Sequence, residues 1–396
     1  MKKNILKLVN GVIRCIDFFI ALNFETKSKQ GIAIVRLDAI GDFVLWLDAA
    51  KEYRRIYPDQ KITLIANFIW AELANNLTHW DEVLPVDLAD LSWKRPLQRW
   101  FFLYKVSRRN FEIVIQPTFS RTIMRGDSVV RASNARHRIG SAGDLSNISE
   151  IEKIISDRWY TRLIAVSPGN LMELYRNKEF VDNLSNSNFI SCLPRLSVRE
   201  KLPNRLQPMG DYVIVFPGAS WHGKQWPINS FIQVSVELDQ RYGLRTVLCG
   251  NASEIELCRT IAAAVPRRTL NLAGETTLNQ ITELIRSAKL LLSNDSSAIH
   301  IATAVGTPSV CILGGGHYGR FLPYPKELQG IKPLVAVKPM HCFNCNWQCN
   351  QSSEPLGAMP CISGVAVSHV LLLAQEALNA VQGNNLIFKN RPVTTC

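Results

Sequence analysis

Short apolar runs alternate with amphipathic segments over two long stretches of the chain. The apolar runs have the length of strands and lie at residues 31–37, 61–66, 83–86 and 111–116, and again at 212–216, 245–249, 269–272, 288–292 and 309–313. Apolar residues recur with helical spacing between them, near 43–56, 68–76, 97–107, 228–241, 254–265, 278–287 and 299–305. Strands buried on both faces read as near-continuous apolar runs, and strand–helix alternation is typical of parallel sheets. We therefore predict an α/β protein with two parallel sheets.

The two stretches are separated by a less regular segment that ends in Leu202–Pro208, a polar run with two prolines. A chain of 396 residues is too long for one ordinary hydrophobic core. We predict three parts: an N-terminal helix over residues 1–30, an α/β domain over 31–205 and a second α/β domain over 206–396.

The first thirty residues interleave basic and apolar positions at helical spacing. Asn10, Arg14 and Asp17 interrupt the apolar positions, so the segment is a poor transmembrane span and a poor signal-peptide core. A basic amphipathic helix suits the surface of an anionic membrane, which we favour for residues 1–24. The alternative is a helix that packs on the body of the protein or on a second subunit.

The composition is that of a soluble globular protein, with 47% apolar and 20% charged residues. The net charge of +12 indicates an anionic partner, which can be nucleic acid, an anionic lipid headgroup or a phosphorylated substrate. Six of the ten cysteines are scattered along the chain, a distribution that favours a reducing compartment over a disulfide framework.

The segment Ser293–Pro308 follows one of the apolar runs and begins with residues that commonly cap helices, Asp295, Ser296 and Ser297. A strand, a polar turn and a helix N-terminus form an anion site, because free backbone N–H groups and the helix dipole point at the turn. The alternative is an ordinary capped helix with His300 packed in the core. The pattern alone favours neither.

A second polar turn follows the strand predicted at 212–216. It reads Pro-Gly-Ala-Ser-Trp-His-Gly-Lys-Gln-Trp-Pro over residues 217–227. Gly218 and Ser220 allow a tight turn with close backbone approach, and Lys224 supplies a compact cation that suits a phosphate.

In these two segments the chain resembles glycosyltransferase family 9, the lipopolysaccharide heptosyltransferases. The first segment matches the family pattern PGxSxxxKxWP fully. The second segment follows the pattern [ND]D[ST]GxxH and then A.GTP, except at Ser297, where the family usually has glycine. The chain departs from the family again at Gly314–Gly316, where many members have Gly-Pro-Thr. The resemblance covers roughly residues 31–378. It implies the GT-B architecture, two Rossmann-like domains facing a cleft, with the acceptor in the N-terminal half and the nucleotide-sugar in the C-terminal half.

Glycosyl transfer needs a base for the acceptor hydroxyl, and a carboxylate within hydrogen-bond reach can serve. The resemblance assigns this role to Asp42 of the Gly41–Asp42 pair; the alternative is that Asp42 caps the following helix, and Asp38 is a weaker candidate. It assigns Lys224 the neutralisation of the departing diphosphate. It further implies that Gly218, Ser220, Glu254, Asp295 and Ser296 bind the donor. For Glu254 the alternative is a glutamate that stabilises the start of a helix, and His300 stays open between a binding and a structural role. No cofactor is required for catalysis, because Lys224 can replace a metal ion.

Two further groups are candidates for binding. Arg121, Arg125 and Arg138 lie in a basic segment and can hold anionic groups of the acceptor, the alternative being a solvated helix face. Cys342, Cys345, Cys349 and Cys361 form a four-thiol set within residues 342–361. Cys-x2-Cys spacing suits zinc or iron, so we expect a structural metal first and disulfides or free thiols second.

The resemblance predicts an inverting enzyme that moves a sugar, heptose from ADP-heptose, onto a lipopolysaccharide-core-like acceptor at the cytoplasmic face of the inner membrane. Its partners would be a nucleotide-sugar donor and an anionic lipid-linked glycan. Alternatives are a different nucleotide-sugar or a protein acceptor and, in another class, a non-catalytic nucleotide- or nucleic-acid-binding protein. We expect no nucleic acid, because the chain lacks interleaved basic and aromatic residues of a stacking platform.

Overall fold

The structure is a computed structural model that describes Asp17 and residues 28–197, 199–265, 269–351 and 357–387, with side chains up to residue 380. The described part divides into two compact units. The first runs to Gly169 and includes Leu174–Phe189, and the second comprises Asn170–Glu173 and the residues from Ile190 onward. Residues 190–205, which the sequence analysis assigns to the first domain, thus group with the second unit.

The first unit contains a six-stranded parallel sheet with the strand order β3-β2-β1-β4-β5-β6. Its strands are β1 (Ile32–Arg36), β2 (Ile62–Asn67), β3 (Glu82–Val86), β4 (Ile113–Gln116), β5 (His137–Ser141) and β6 (Arg162–Ile164). Its helices are α1 (Ile40–Ile56), α2 (Phe68–Asn75), α3 (Pro96–Ser107), α4 (Ser128–Ala132), α5 (Glu150–Asp157) and α6 (Glu173–Ser185), with a π-helical turn at Ile123–Asp127.

The second unit repeats this topology, with the strand order β12-β11-β10-β7-β8-β9, again all parallel. Its strands are β7 (Tyr212–Phe216), β8 (Arg245–Leu248), β9 (Thr269–Asn271), β10 (Leu290–Asn294), β11 (Ser309–Ile312) and β12 (Leu334–Ala336). Its helices are α7 (Ile228–Tyr242), α8 (Ile255–Ala264), α9 (Leu278–Ser287), α10 (Ser297–Val305), α11 (Pro360–Ser363) and α12 (Val367–Ile387). Short 3₁₀ turns lie at Asn204–Leu206, His222–Lys224 and Ala252–Glu254.

Each unit folds around its sheet for reasons that are local in the sequence. The central strands β1 and β10 are buried along their whole length, as expected for strands covered by helices on both faces. Gly306 ends α10 in the left-handed region, with a φ of +79° that favours glycine at this position. Both sheets have the Rossmann strand order, in which the order of the strands reverses between the first and the fourth strand of each sheet. Ligands of such sheets bind outside the carboxyl ends of these two strands.

Most of the N-terminal helix predicted over residues 1–30 lies outside the described residues. Asp17 is described, is buried, and forms an ion pair of 2.6 Å with the guanidinium of fully buried Arg99 in α3. Arg99 also donates to the carbonyls of Leu91 and Met124 and to the hydroxyl of Ser128. Asp17 is therefore held on the body of the first unit by Arg99. Among the described helices, none combines the length and the hydropathy needed to cross a bilayer.

Candidate active site

In the first unit, the loops after β1 and β4 meet at the edge where ligands are expected. Helix α1 begins at Ile40, three residues earlier than the sequence pattern predicts, so Asp42 lies in its first turn. The N-cap residue is Ala39, which makes no side-chain cap hydrogen bond. Asp42 is therefore not the N-cap of α1, and its partly exposed carboxylate lies on the first turn of the helix.

The carboxylate of Asp38, the weaker candidate for the base, is engaged by a mostly buried network of side chains. The Arg36 guanidinium is fully buried and pairs with the Asp38 carboxylate at 2.7 Å. Thr118, in the loop after β4, donates to the same carboxylate at 3.1 Å. Arg36 also donates to the side chain of Asn177 at 3.1 Å and to the backbone carbonyl of Asp42 at 3.4 Å. Arg36 thus positions Asp38 and the start of α1 together.

In the second unit, Asn294 at the end of β10 holds the turn after β7. Its amide donates to the carbonyls of Pro217 and Gly218 at 2.7 and 3.2 Å. Its side-chain oxygen accepts from the backbone N–H of Trp226 at 3.0 Å. Trp226 is buried in the core and donates its indole N–H to the carbonyl of Val365. The loop that carries Lys224 is therefore anchored at both ends.

Lys224 lies where the two strand-end loops converge. Its ammonium is 3.4 Å from the Asp295 carboxylate, which begins the turn before α10. On another side it lies 4.5 Å from the ring centroid of Trp347, within range of a cation–π interaction. Trp221 meets the same ring edge-on, and His317 accepts a hydrogen bond from its indole N–H at 3.3 Å. A mostly buried cation beside a helix N-terminus is suited to a phosphate group.

Glu254 lies against the turn after β7. A Cβ atom at Gly218 would lie 1.8 Å from one of its carboxylate oxygens, and one at Gly250 would lie 2.6 Å from the other, so both glycines are required for this approach. Its carboxylate also accepts from the backbone N–H of Asn251, as part of a capping box. Burial raises the pKa of Glu254, and the hydrogen bond from Asn251 opposes this. Ser220 lies exposed on the same turn.

Ser296 and His300 have different surroundings. Ser296 is the N-cap residue of α10, makes no side-chain cap hydrogen bond, and exchanges a hydrogen bond of 2.8 Å with Ser293. His300 is buried and bonds the hydroxyl of Tyr324 at 3.0 Å. Burial lowers the pKa of His300 to about 4, with Asp295 opposing the shift. The geometry gives His300 a structural role, which corrects its assignment to the donor-binding set.

The four-cysteine segment packs on the loop after β11. A Cβ atom at Gly315 would lie 2.2 Å from the Phe343 ring, and one at Gly316 would lie 2.3 Å from the Trp347 ring. This explains the departure from Gly-Pro-Thr at Gly314–Gly316, because larger residues would displace the segment. Asn344, Asn346 and Trp347 adopt left-handed backbone conformations there. Such conformations are uncommon for residues other than glycine and occur together here in one tight loop.

The four thiols of this segment line one small pocket together with Phe343 and Trp347. Burial raises the pKa of the Cys361 thiol, a backbone hydrogen bond with Gly315 opposes this, and neighbouring Cys342 and Cys349 raise it further. All four cysteines are free thiols. Within the described residues, no three Cys, His, Asp or Glu side chains adopt the arrangement of a metal site. Four thiols are a donor set that suits zinc or iron, but in this structure they are not arranged around one point.

Two of the three arginines proposed for the acceptor are committed to the fold. Arg121 is buried, pairs with Asp127 and Asp157, and lies 4.8 Å from the ring centroid of Tyr160. Arg138 donates to the carbonyls of Trp159 and Ala135. These contacts correct the assignment of both residues to the acceptor.

Arg125 differs from these two arginines. It is exposed and lines an open pocket of about 390 Å³ in the first unit. The pocket is also lined by Leu88, Leu91, Ser92, Trp93, Thr122, Met124 and Asn147. Trp93 offers a partly exposed indole, and the remaining polar residues offer hydroxyl and amide groups.

Several residues around the site were not predicted. Arg36 lies inside an apolar strand run, where a lone polar residue at the end of a strand is the only available signal. Asn294 lies in the polar segment 293–308, but the sequence analysis gave it no role. Trp347 belongs to the cysteine segment, whose pattern pointed to a metal and gave no sign of a contact with Lys224. Trp93 and Thr118 carry no motif.

Comparisons with known proteins bear on the class of this protein. The family model described as glycosyltransferase family 9 (heptosyltransferase) matches residues 159–349, just under half of the chain. The lipopolysaccharide core heptosyltransferase OpsX of Haemophilus influenzae is 23% identical over 310 residues, which cover 76% of this chain and 83% of OpsX.

Solved structures match over most of the chain. The structure of Escherichia coli ADP-heptose lps heptosyltransferase II matches with a TM-score of 0.63 at 18% identity, covering 89% of this chain and 99% of that one. The iron-containing dodecameric glycosyltransferase TibC from enterotoxigenic E. coli matches with a TM-score of 0.55 at 11% identity, covering 90% of this chain and 78% of TibC. At these identities the likeness establishes the fold.

The fold is that of a GT-B glycosyltransferase, an α/β protein with two Rossmann-like domains, as the sequence predicts. The chain is similar to glycosyltransferase family 9 (heptosyltransferase) over residues 159–349 and to a core heptosyltransferase over most of its length, and it is an enzyme. The alternative of a non-catalytic nucleotide- or nucleic-acid-binding protein is therefore wrong.

Proposed function

We propose that this enzyme transfers heptose from ADP-heptose to a lipopolysaccharide-core-like acceptor with inversion at the anomeric carbon. The donor is supported by the E. coli ADP-heptose lps heptosyltransferase II, and the acceptor by the core heptosyltransferase OpsX. The observation that carries the proposal is the position of Lys224, at the switch point of the second sheet and beside the N-terminus of α10.

In the donor half, the diphosphate lies at the turn formed by Gly218, Ser220, Asp295 and Ser296. Its charge grows as the bond to the sugar breaks, and a fixed cation at this point lowers the barrier. Lys224 supplies that cation from a site already ordered by Asp295 and Trp347. Glu254, held against Gly218, accepts hydrogen bonds from the ribose hydroxyls. The reaction requires no cofactor in this scheme.

In the acceptor half, Asp42 removes the proton from the attacking hydroxyl. The acceptor oxygen then bonds to the anomeric carbon of the heptose from the face opposite the phosphate, and ADP leaves. A carboxylate on the first turn of a helix stays ionised, because the positive end of the helix dipole stabilises its charge. The engagement of Asp38 with Arg36 and Thr118 supports Asp42 over Asp38.

The pocket that contains Arg125 and Trp93 suits the acceptor glycan. Aromatic rings pack against the apolar faces of sugars, and a guanidinium binds carboxylate or phosphate bidentately. The Arg125 guanidinium has no hydrogen bond or ion pair among the described residues, so it is available to such a group. We therefore expect the acceptor glycan to carry an anionic group that reaches Arg125.

Calorimetric binding of ADP, UDP, GDP and CDP tests the donor, with selective ADP binding expected. Turnover of ADP-heptose then tests the chemistry: Asp42→Asn should lower kcat by at least about a hundredfold and leave ADP affinity unchanged. Asp59→Asn, at an exposed site in the same unit, is the matched control. Near-normal turnover of the Asp42 variant would remove it as the base, and absence of nucleotide binding would remove the donor assignment.

A different nucleotide-sugar is the second candidate. It is favoured by Ser297 and by Gly314–Gly316, which depart from the family pattern near the proposed donor site. Preference for UDP, GDP or CDP in the same binding series would establish it and leave the mechanism unchanged.

We also propose that Cys342, Cys345, Cys349 and Cys361 hold a structural zinc or iron ion. Their convergence on one pocket supports this, as does the description of TibC as iron-containing. The metal would stabilise the segment that contains Trp347, and it would take no part in the catalytic steps. Elemental analysis of purified protein should find about one metal ion per chain, and Cys345→Ser should lose it. Metal-free wild-type protein with four titratable thiols would refute the proposal.

We place the enzyme in the cytoplasm, at the inner face of the membrane that carries its lipid-linked acceptor. The net charge of +12 and the basic residues of segment 1–24 support this placement.

A further inference from the structure

Helix α3 (Pro96–Ser107) has two apolar faces, of which one has no partner within the described residues. Arg99, Phe102, Leu103 and Val106 are buried and pack inward. On the opposite side, Leu97, Phe101 and Tyr104 are exposed by 72%, 73% and 51%. Their spacing of four and three residues aligns them along one face of the helix. Surface helices of soluble proteins rarely present three large apolar side chains in one row.

Basic side chains accompany this row. Lys94, Lys105 and Arg108 are exposed at positions that continue the same face. The Arg108 guanidinium lies 5.9 Å from the ring centroid of Tyr104, and the Lys94 ammonium lies 5.8 Å from that of Trp93. From Leu91 to Phe111 the sequence contains six lysines and arginines and no aspartate or glutamate.

Three further cations of this stretch form ion pairs: Arg99 with Asp17, Arg109 with Glu82 and Arg95 with Asp90. The exposed lysines Lys94 and Lys105 give the row its positive charge. We refer to Lys94, Leu97, Phe101, Tyr104, Lys105 and Arg108 as the α3 face.

We infer that the α3 face docks on the surface of an anionic lipid bilayer. Leucine and aromatic side chains enter the boundary between headgroups and acyl chains, while lysine and arginine remain among the headgroups. Each basic residue near an anionic bilayer contributes about fivefold to partitioning, so the exposed lysines Lys94 and Lys105 bias the face toward such a surface. The inference does not depend on the proposed donor or acceptor.

A comparison within the same unit shows why charge identifies the partner. Helix α5 (Glu150–Asp157) also exposes an apolar row, with Ile151 at 72% and Ile154 at 53%. That row is flanked by Glu150 and Glu152, whose carboxylates an anionic bilayer repels. Exposed apolar residues alone would make both helices candidates for the membrane contact, whereas the flanking charges favour α3.

The position of the α3 face also suits a lipid-linked substrate. The pocket lined by Trp93 and Arg125 lies at the start of α3, because Lys94 and Arg95 directly join Trp93 to the helix. A bilayer against the α3 face would lie close to the opening of this pocket. A glycan that projects from a lipid anchor could then enter it while the anchor stays in the membrane.

Vesicle co-sedimentation of the full chain tests the inference. Wild-type protein should bind phosphatidylcholine vesicles that contain phosphatidylglycerol, bind pure phosphatidylcholine weakly, and be released by high salt. Leu97→Glu with Phe101→Glu should lower partitioning about 25-fold or more, from two added negative charges and the lost apolar insertion. Lys94→Glu with Lys105→Glu should lower it by a similar or larger factor.

The matched control is Ile151→Glu with Ile154→Glu, which makes the same change in net charge on the α5 row and should retain wild-type binding within about twofold, since screening hides distant charges. All substituted positions are exposed, and unchanged thermal unfolding verifies the fold. Equal losses in the α3 and α5 variants would overturn the inference, as would wild-type protein that does not bind anionic vesicles.

Two other outcomes would also overturn the inference, one by placing the membrane contact in the N-terminal segment and one by making the α3 face a contact between two copies of the chain. If Lys2→Glu, Lys3→Glu and Lys7→Glu together abolish vesicle binding while the α3 variants bind normally, the N-terminal segment is the contact and the inference is wrong. If the α3 variants change the mass in sedimentation equilibrium and leave vesicle binding intact, the face is an interface between two copies of this chain, which also overturns it.

Discussion

Lys224 is held between the carboxylate of Asp295 and the ring of Trp347, and its orientation depends on both. We predict that Lys224→Met and Trp347→Leu each weaken ADP binding about fivefold to thirtyfold, the range of a desolvated cation–π contact, and leave adenosine binding unchanged. The double variant should bind ADP no more weakly than the weaker single variant, because both remove the same interaction. Calorimetry of the four proteins completes the double-mutant cycle.

The control for this cycle is Trp159→Leu, which removes another aromatic ring under a cation, that of Arg131 at 4.6 Å in the first unit. It should leave ADP binding at the wild-type value. Independent, multiplying losses from the Lys224 and Trp347 variants would mean that Trp347 contacts the nucleotide by itself and does not position Lys224.

His300 predicts a pH dependence of stability. Its pKa in the folded protein is lowered by burial from 6.5 to about 4, so the unfolded chain binds a proton more readily between these values. The stabilisation is fully present above pH 6.5 and is lost as pH falls toward 4. At 1.36 kcal/mol per pKa unit the full loss is about 3 kcal/mol. Urea unfolding of wild type and His300→Gln from pH 7.5 to 5 should show a steeper loss for wild type. Parallel curves would contradict the burial argument.

At single positions, the sequence motifs predicted which residues lie at the strand ends, but the sequence could not predict which side chains are buried. Lys224 and Asp295 meet because their motifs follow strands that are neighbours in the sheet, and the turn signals placed both motifs correctly. His300 stayed undecided because the sequence does not show that Tyr324 covers it. Arg121 was misassigned for the same reason: the basic segment looks solvated until Asp127 and Asp157 fold against it.

The contact between the glycine loop after β11 and the cysteine segment predicts a specific rescue. Gly316→Ala places a methyl group against the Trp347 ring, with 2.3 Å available where ordinary contact needs about 3.4 Å or more. We expect a loss of about 1–3 kcal/mol in the free energy of unfolding, together with weaker ADP binding through displaced Trp347. Adding Trp347→Ala removes the obstacle, so the double variant should be no less stable than Trp347→Ala alone. Chemical denaturation measures both effects, and a further loss in the double variant would refute the steric explanation.

For the helices and strands, alternation of apolar runs was sufficient to locate most of the sheet, and boundaries were the weaker part. Helix α1 begins at Ile40 and includes Gly41 in its first turn, whereas the apolar pattern placed its start at Phe43. That shift moves Asp42 from a capping position into the helix. The segment between Arg121 and Ser141 resisted interpretation, since its π-helical turn and five-residue helix are too short for a periodic signal.

For the chain as a whole, two repeats of strand–helix alternation predicted two Rossmann-like units, and both have the same strand order. The boundary was harder to predict. The proline-containing segment near 205 marks a break in pattern, but residues 190–205 already pack with the second unit, as the bond from Leu196 to Ala304 illustrates. A linker signal reports local backbone preference, whereas unit membership depends on contacts that are distant in sequence.

The buried ion pair between Asp17 and Arg99 leads to the last prediction. Arg99 is fully buried, and Asp17 supplies its only carboxylate among the described residues. Asp17→Asn keeps the shape of the side chain but leaves the buried guanidinium charge uncompensated, which should cost about 3–5 kcal/mol in the free energy of unfolding. Glu256→Gln, at the exposed ion pair with Arg259, should cost less than about 1 kcal/mol. Urea unfolding compares the two. A small cost at Asp17 would show that the carbonyls of Leu91 and Met124 suffice to hold Arg99.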